Sequence, residues 1–308
     1  MTAGRILTCL DDLPAEPSVV SVGFFDGVHR GHQAIIRTAL QAAGQRGLRS
    51  VAVTFDRHPM EVIAPGSQPR LLMTLDRRAR TLSALGVDVV LIVAFDDALR
   101  HHVPEEFVDR TLSPLQPSHV VVGANFRFGH RAAGDVATLS ELGPARRFTV
   151  EGVTLLQAQG VVISSTTIRA AIDAGDVQRA AAMLGRPHVV DGIVVRGDER
   201  GAGLGFPTAN LQVPERTALP ATGVYAGMVQ LRDGTQQRAA TNVGVNPTFG
   251  GTQLRVETHL LDFSGDLYGS AVAVDFRYRL RGEERFASVE ALVAQMHDDV
   301  ARARELLG

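Results

Sequence analysis

Two histidines three residues apart, His29 and His32, stand in the stretch VVSVGFFDGVHRGHQ (19–33), which also holds Gly23, Gly27 and Gly31. Imidazoles donate hydrogen bonds to an oxyanion, and glycines let backbone N–H groups come close to one. The run before them is apolar (Val19, Val20, Val22), and Ile35, Ile36, Leu40 and Ala43 behind them have helical spacing. The stretch therefore reads as strand, loop and helix, with the histidines at the helix entry. In an open parallel α/β sheet such a turn lies at the carboxyl end of a strand. There the helix start presents free N–H groups and a positive dipole end to an anion. The lesser alternative for the pair taken alone is two surface histidines on an ordinary turn.

Further along, four other stretches carry residues suited to chemistry. In VVISSTTIR (161–169) four hydroxyls, Ser164, Ser165, Thr166 and Thr167, stand at a helix start with Arg169 one turn in. A cap needs one hydroxyl, so four with an arginine point to an anion site. In GAGLGFPTAN (201–210) the alternate glycines Gly201, Gly203 and Gly205 precede Pro207, Thr208 and Asn210. A dinucleotide fingerprint would need a helix next, and Val213 and Pro214 do not supply one. The segment is either a flexible hairpin loop or a phosphate cradle, with Thr208 and Asn210 as oxygen ligands for Mg²⁺. Phe126 and Phe128 beside Asn125 and Arg127 form either an aromatic wall for a planar ring or a loop whose rings fill the core. Asp56 and His58 in FDRHP end a strand and are either solvated or part of a site. Glu257, within an apolar strand, is a wet-face residue or a general base, and alternation favours the wet face.

Composition narrows these choices. Of 308 residues 45% are hydrophobic and 21% charged, which suits a globular protein with room for two domains. A net charge of −2 gives no global basic footprint for nucleic acid. The single cysteine, Cys9, excludes an internal disulfide and a multi-cysteine zinc site. No secretory leader or membrane span is read, so no membrane partner is expected and the location is cytoplasmic. The sequence contains no lysine. A Walker A loop, a protein-kinase site and a pyridoxal Schiff base all require one. Any ATP chemistry must therefore use Arg, His, backbone N–H groups and a metal ion.

The elements that position these residues fall into two textures. From Val19 to Val162 strands alternate with helices: strands at 50–55, 87–95 and 120–122, helices at 75–85 and 104–112, and a solvated loop at 96–102. That pattern predicts a doubly wound parallel sheet. After GRPH (185–188) short alternating segments follow (VVDGIVVRG, GVYAGMVQL, QRAATNVGV, LRVETHLLDF, AVAVDFRYRL), with turns at Asp233, Gly234, Asn246, Pro247, Gly265 and Asp266. They predict a small antiparallel barrel. Ser288 to Leu307 reads as a terminal helix with Val289, Leu292, Val293, Met296, Val300 and Leu307 as a core stripe. The expected division is 1–185 and 186–308.

Six motifs in order, GFFDGVHRGHQ, GANFRFG, ISSTTIR, GLGFPTAN, NVGVNPTFG (242–250) and VETHLLDFSGDLYG, resemble the bacterial bifunctional riboflavin kinase/FMN adenylyltransferase (FAD synthetase) family. The resemblance spans nearly the whole chain. It implies an HxGH-type nucleotidyltransferase in the first half, where FMN attacks the α-phosphorus of ATP, and a riboflavin kinase in the second. It implies His29 and His32 as catalytic. Gly23, Phe25, Asp26, Gly31 and Asn125 would hold ATP and phosphate, with Ser164, Thr166 and Arg169 on the departing phosphates. Asp56, His58, Phe126 and Phe128 would meet the flavin. In the second half it implies Gly203 and Gly205 at the ATP phosphates, Thr208 and Asn210 on Mg²⁺, and Glu257 as the base. The expected small molecules are riboflavin, FMN, FAD and ATP. Arg57 departs from the family, which commonly has Pro there. The rival readings are a chain with only one of the two activities, and a flavin carrier that turns nothing over.

Overall fold

Valine and isoleucine runs without a polar face make strands that must be covered on both sides. The computed structural model describes residues 4–158, 160–197, 203–245 and 254–308. These runs become β2 (Ser18–Val22), β3 (Arg49–Phe55), β4 (Val89–Val93) and β5 (Pro117–Gly123), joined by the edge strands β1 (Arg5–Leu7) and β6 (Thr149–Val153). All neighbours are parallel, in the order β1-β4-β3-β2-β5-β6. The chain winds outward from β2 through β3 to β4, then returns to β5 on the other side of β2. The crevice at the carboxyl ends of β2 and β5 is the switch point, where ligands bind in such sheets.

Helix α1 (Arg30–Arg46) covers that crevice's base. Its Ile35, Ala39, Ala42 and Ala43 bury against Val19 of β2 and Val121 of β5. Three further helices are α2 (Pro59–Ile63), α3 (Leu75–Ala84) and α4 (Asp97–His101). The expected loop at 96–102 is thus a helix, because the Asp96 carboxylate accepts the Leu99 N–H and caps it. Val161–Val162 also differs from expectation. It pairs antiparallel with Gln157–Ala158 in a two-stranded hairpin, outside the parallel sheet, which ends at β6.

The chain forms two compact units, Met1–Pro69 with Leu75–Ser164, and Arg70–Thr74 with Ser165–Gly308. The second begins with helices at Ser165–Asp173 and Val177–Leu184. The second of these helices packs on the barrel, since Val177 is buried in the same core as Tyr225, Val229 and Phe276. Arg70–Thr74 joins it through backbone: the Leu71 N–H donates to Arg216 and the Ala218 N–H to Leu71, at 2.8 and 2.9 Å.

Six antiparallel strands close its barrel: His188–Val195, Ala209–Gln212, Gly223–Gln230, Gln236–Val245, Leu254–Leu260 and Ala271–Phe276. The ring closes because Gly223–Gln230 pairs with both Gln236–Val245 and Ala271–Phe276. The strand Ala209–Gln212 was read as loop in the sequence. The C-terminal helix, Val289–Leu307, carries the expected core stripe in its second half, where Val300 and Leu307 pack against the buried Ala226, Ala240, Leu261 and Ala303. Val289 is 57% exposed, and Leu292, Val293 and Met296 are half-buried. Leu292 and Met296 border a cavity.

Gly227 sits where the barrel is tightest: a Cβ there would fall onto the Asp275 carbonyl oxygen of the neighbouring strand. Gly227→Ala is expected to lower stability by about 3 kcal/mol or more, as overpacking against fixed backbone does. Urea unfolding checks this, and an unchanged midpoint would contradict the packing described.

Candidate active sites

The turn leaving β2 is strained. Phe25 (φ 55°) and Val28 (φ 38°) are left-handed beside Gly27 (φ 80°). For a β-branched residue that is an outlier, costing on the order of 1–3 kcal/mol and found mainly at functional sites. Burial fixes it: Phe25 and Val28 are fully enclosed, and the Val28 N–H donates to the Phe25 carbonyl at 3.0 Å. The chain then enters α1 with His29 as its N-cap. His29 Nδ1 accepts the His32 backbone N–H at 3.3 Å. An accepting Nδ1 carries no proton, so the neutral ring holds its proton on Nε2 as a donor.

The His32 ring stacks on His29 with centroids 3.6 Å apart and 20° between planes. The ring of Phe25 meets His32 edge-on at 5.2 Å. Burial first, then the electrostatic influence of His29 and Arg78, holds the His32 imidazole well below its ordinary 6.5. His32 is therefore neutral at pH 7 and cannot place a cation on a phosphate. Gly31 makes the arrangement possible, since a Cβ would lie 3.1 Å from the His29 ring and 3.6 Å from the Ile163 carbonyl oxygen. Ser164 follows that carbonyl. A Cβ at Gly23 would lie 3.1 Å from the Phe25 ring, and Asp26 is buried within the same turn.

Across the switch point, Asn125 is exposed in the turn after β5. Phe126 is half-buried and stacks on Phe128 at 5.5 Å. Phe128 is itself buried and packs on Phe107 at 5.4 Å, so it belongs to the core, and Phe126 alone of the two offers ring surface. Asp56 Oδ1 accepts the Phe95 N–H at 2.8 Å, and Oδ2 takes Arg57 at 2.8 and 3.0 Å. Burial opposes ionisation of Asp56, yet Arg57 and the Phe95 amide hold its carboxyl below the usual range. Arg57 is thereby engaged locally. His58 Nδ1 caps α2 by accepting the Met60 N–H at 3.1 Å, and its ring meets Phe24 edge-on at 4.8 Å. Thr166 and Arg169 lie on the helix Ser165–Asp173, which belongs to the second unit, where Arg169 Nε donates to the Arg70 carbonyl at 2.7 Å.

In the barrel, strand register assembles a second centre. Asn210 and Asn242 are both cross-strand partners of Glu257, so the three form one row over three strands. Their chain neighbours Leu211, Val243 and Val256 point into the barrel core, which puts the row on the outer face. Alternation was thus a sound guide for Glu257, but that face is not open water. A cavity of about 360 Å³ lies over it, lined by Thr208, Asn242, Glu257 and His259 and by Leu292 and Met296 of the terminal helix. Thr208 also lines a second cavity of about 510 Å³ with Phe263, Asp266 and Tyr268. It stands between the two.

Asn210 is buried with no partner for Oδ1 among the described residues, and a side chain on Gly197 would collide with its carboxamide. Glu257 pairs with Arg255 at 3.2 Å. Gly203 and Gly205 are exposed ahead of them, Gly205 at φ 87°. Gly201, and Asn246 to Gly250 with the turn at Asn246 and Pro247, lie outside the described residues. Sequence reasoning passed over His259, whose Nδ1 bonds the Pro207 carbonyl at 2.8 Å and so fixes the entry to Thr208. It also passed over Arg78, buried behind the histidine turn. His259 stands in VETHLLDFSGDLYG, two residues after Glu257, whereas Arg78 stands in none of the six motifs.

A parallel sheet with imidazoles at its switch point and a barrel with an oxygen-donor row beside two cavities define a two-centred transferase of the nucleotidyltransferase-plus-flavokinase kind. Family models agree: residues 12–167 match FAD synthetase and 184–307 match riboflavin kinase. The chain belongs to the bifunctional riboflavin kinase/FMN adenylyltransferase family. It is 42% identical over 290 residues to the protein of that name from Pseudomonas fluorescens, covering 94% of this chain and 92% of that one. To the one from Escherichia coli K12 it is 36% identical over 300 residues, covering 97% and 96%. A crystal structure named as a macrolide-efflux protein from Streptococcus pneumoniae superposes with a TM-score of 0.88 at 32% identity, covering 98% of this chain and 99% of that one. Among the described residues no helix is long and apolar enough to cross a membrane.

Two outcomes follow from the histidine turn. Gly31→Ala should displace the His29 ring and slow the chemistry of the first unit at least tenfold while leaving the barrel's activity intact, which parallel assays of the two would show. The second concerns pH. With its folded value depressed, His32 stays unprotonated where the unfolded chain takes up a proton, so stability falls as pH drops below 6.5. His32→Gln should flatten that acid limb in urea midpoints measured against pH, and an identical limb would contradict the burial described.

Proposed function

We propose that the barrel phosphorylates riboflavin with ATP, giving FMN and ADP, and that the first unit transfers AMP from ATP to FMN, giving FAD and pyrophosphate. The observation that carries this is the division of labour in the fold. The histidine turn and the Asn210–Glu257 row lie in different compact units, and each has its own groups for holding anions.

In the barrel, the apolar cavity under the terminal helix takes the flavin ring and the larger cavity beyond Thr208 takes the nucleotide. Glu257 accepts the proton of the ribityl 5′-hydroxyl as that oxygen attacks the γ-phosphorus. An alcohol is a weak nucleophile, and a positioned carboxylate contributes about 10²–10⁴-fold. The donors fit Mg²⁺: Thr208 and Asn210 offer neutral oxygens, and Asn210 Oδ1 is buried with no hydrogen-bond partner among the described residues. A hard cation held by few protein oxygens takes its remaining ligands from phosphates and water. When bound, Mg²⁺ would neutralise charge on the transferring phosphoryl group.

In the first unit, an FMN phosphate oxygen attacks the α-phosphorus and the bond to pyrophosphate breaks, with no covalent enzyme intermediate. Charge builds on the five-coordinate phosphorus. The Nε2–H of His29 and the free N–H groups at the start of α1 are placed to meet it. Neutral His32 holds His29 in orientation by stacking and through its own N–H. Phe126 supplies ring surface for the flavin. A cytoplasmic location goes with this reading.

Incubation with riboflavin, ATP and Mg²⁺, with flavins resolved by chromatography over time, tests it. His29→Ala is expected to cut FMN-to-FAD conversion by about 10²-fold or more and leave FMN formation intact, as loss of a transition-state donor does. Glu257→Gln should do the reverse. Unchanged riboflavin with the wild-type protein would remove the kinase assignment.

A further inference from the structure

Arg78, on α3, has no part in the mechanism above. Its side chain is only 4% exposed, although arginine is almost never enclosed without a partner of opposite charge. Nη1 donates to the Phe24 carbonyl at 2.9 Å and Nη2 to the Phe55 carbonyl at 2.5 Å. The guanidinium lies 4.2 Å from the centre of the Phe24 ring, and its Nε–H is buried without an acceptor. Phe24 belongs to the histidine turn and Phe55 ends β3, so one cation spans two neighbouring strand ends.

The Phe24 carbonyl does not depend on that cation alone. The Thr54 hydroxyl already donates to the Phe24 carbonyl at 3.0 Å. A buried charge is costly even where carboxylates act on it, as Asp26 and Asp56 do here, and such costs concentrate at functional sites. Burial pushes the guanidinium down to about 10, with Asp26 and Asp56 opposing the shift, so it remains charged at neutral pH. Its field reaches the site, since it is one of the groups acting on His32.

We infer that Arg78 is a positioning residue for adenylyl transfer: it ties the Gly23–His29 turn to the end of β3 and keeps fixed positive charge close to the histidine pair. The inference rests on the adenylyl-transfer reading of that pair. A lysine would keep the charge but could not reach both carbonyls in the guanidinium's forked geometry. A methionine would fill the space and remove both.

The test uses the full chain, wild type, Arg78→Lys and Arg78→Met, with three readouts. These are kcat and KM for FMN-to-FAD conversion, the rate of riboflavin-to-FMN conversion in the same molecule, and the NMR titration of the His32 imidazole. Arg78→Met is expected to lower the adenylyl-transfer kcat at least tenfold, with FMN formation unchanged and His32 titrating at higher pH. Arg78→Lys should recover part of kcat and keep His32 depressed. Wild-type rates and an unmoved His32 in Arg78→Met would overturn the inference. So would parallel loss of both activities in both variants, which would make Arg78 a structural support only. A wild-type chain that made FMN but no FAD would remove the adenylyl-transfer reading, and the inference with it.

Discussion

A single hydrogen bond, from the His32 N–H to His29 Nδ1, joins the fold of the first unit to its chemistry. It caps α1 and sets the tautomer of His29, leaving Nε2 with the proton. Nearly everything around it serves to keep it. The left-handed turn at Phe25, Gly27 and Val28 brings the chain to the helix at the required angle. Gly31 leaves room for the ring, His32 stacks on it, and Phe25 meets His32 edge-on. The strain is tolerable because the turn is anchored in a sheet whose neighbouring strands are all parallel and buried.

The barrel meets a similar demand by other means. Here register does the positioning: pairing with Leu254–Leu260 sets Asn210 and Asn242 level with Glu257 on the outer face. A chain without lysine must hold phosphates with backbone, imidazole, arginine and neutral oxygen donors. Both centres are built from those groups. The terminal helix completes the second by lending Leu292 and Met296 to a cavity wall, and the Arg281–Asp299 pair, with contacts of 2.9 to 3.1 Å, clamps that helix to the barrel.

Much of this was legible in the sequence because its signals are local. Unbroken β-branched runs announced the central strands, and glycines with histidines marked the turn. What was hidden depends on tertiary partners. β1 and β6 are short edge strands with half-exposed residues, so they lack the buried pattern. Ala209–Gln212 is four residues long and becomes a strand through pairing on both sides. Phe128 allowed two readings, ligand wall or core filler, and the choice rests on Phe107, a tertiary neighbour that no local pattern shows. Arg78 in LDRRARTL is indistinguishable by type from its exposed neighbours. Glu257 illustrates the converse, since alternation gave its face correctly and could not reveal the cavity above it.

The central claim is that one chain cleaves ATP at two different phosphorus atoms, γ in the barrel and α at the histidine turn. ATP labelled with ³²P at one position or the other tests this most directly, with riboflavin as the only flavin supplied. Label from the γ position should enter FMN and be carried into FAD, whereas label from the α position should appear in FAD and never in FMN. Label from the α position in FMN, or its absence from FAD, would contradict the account.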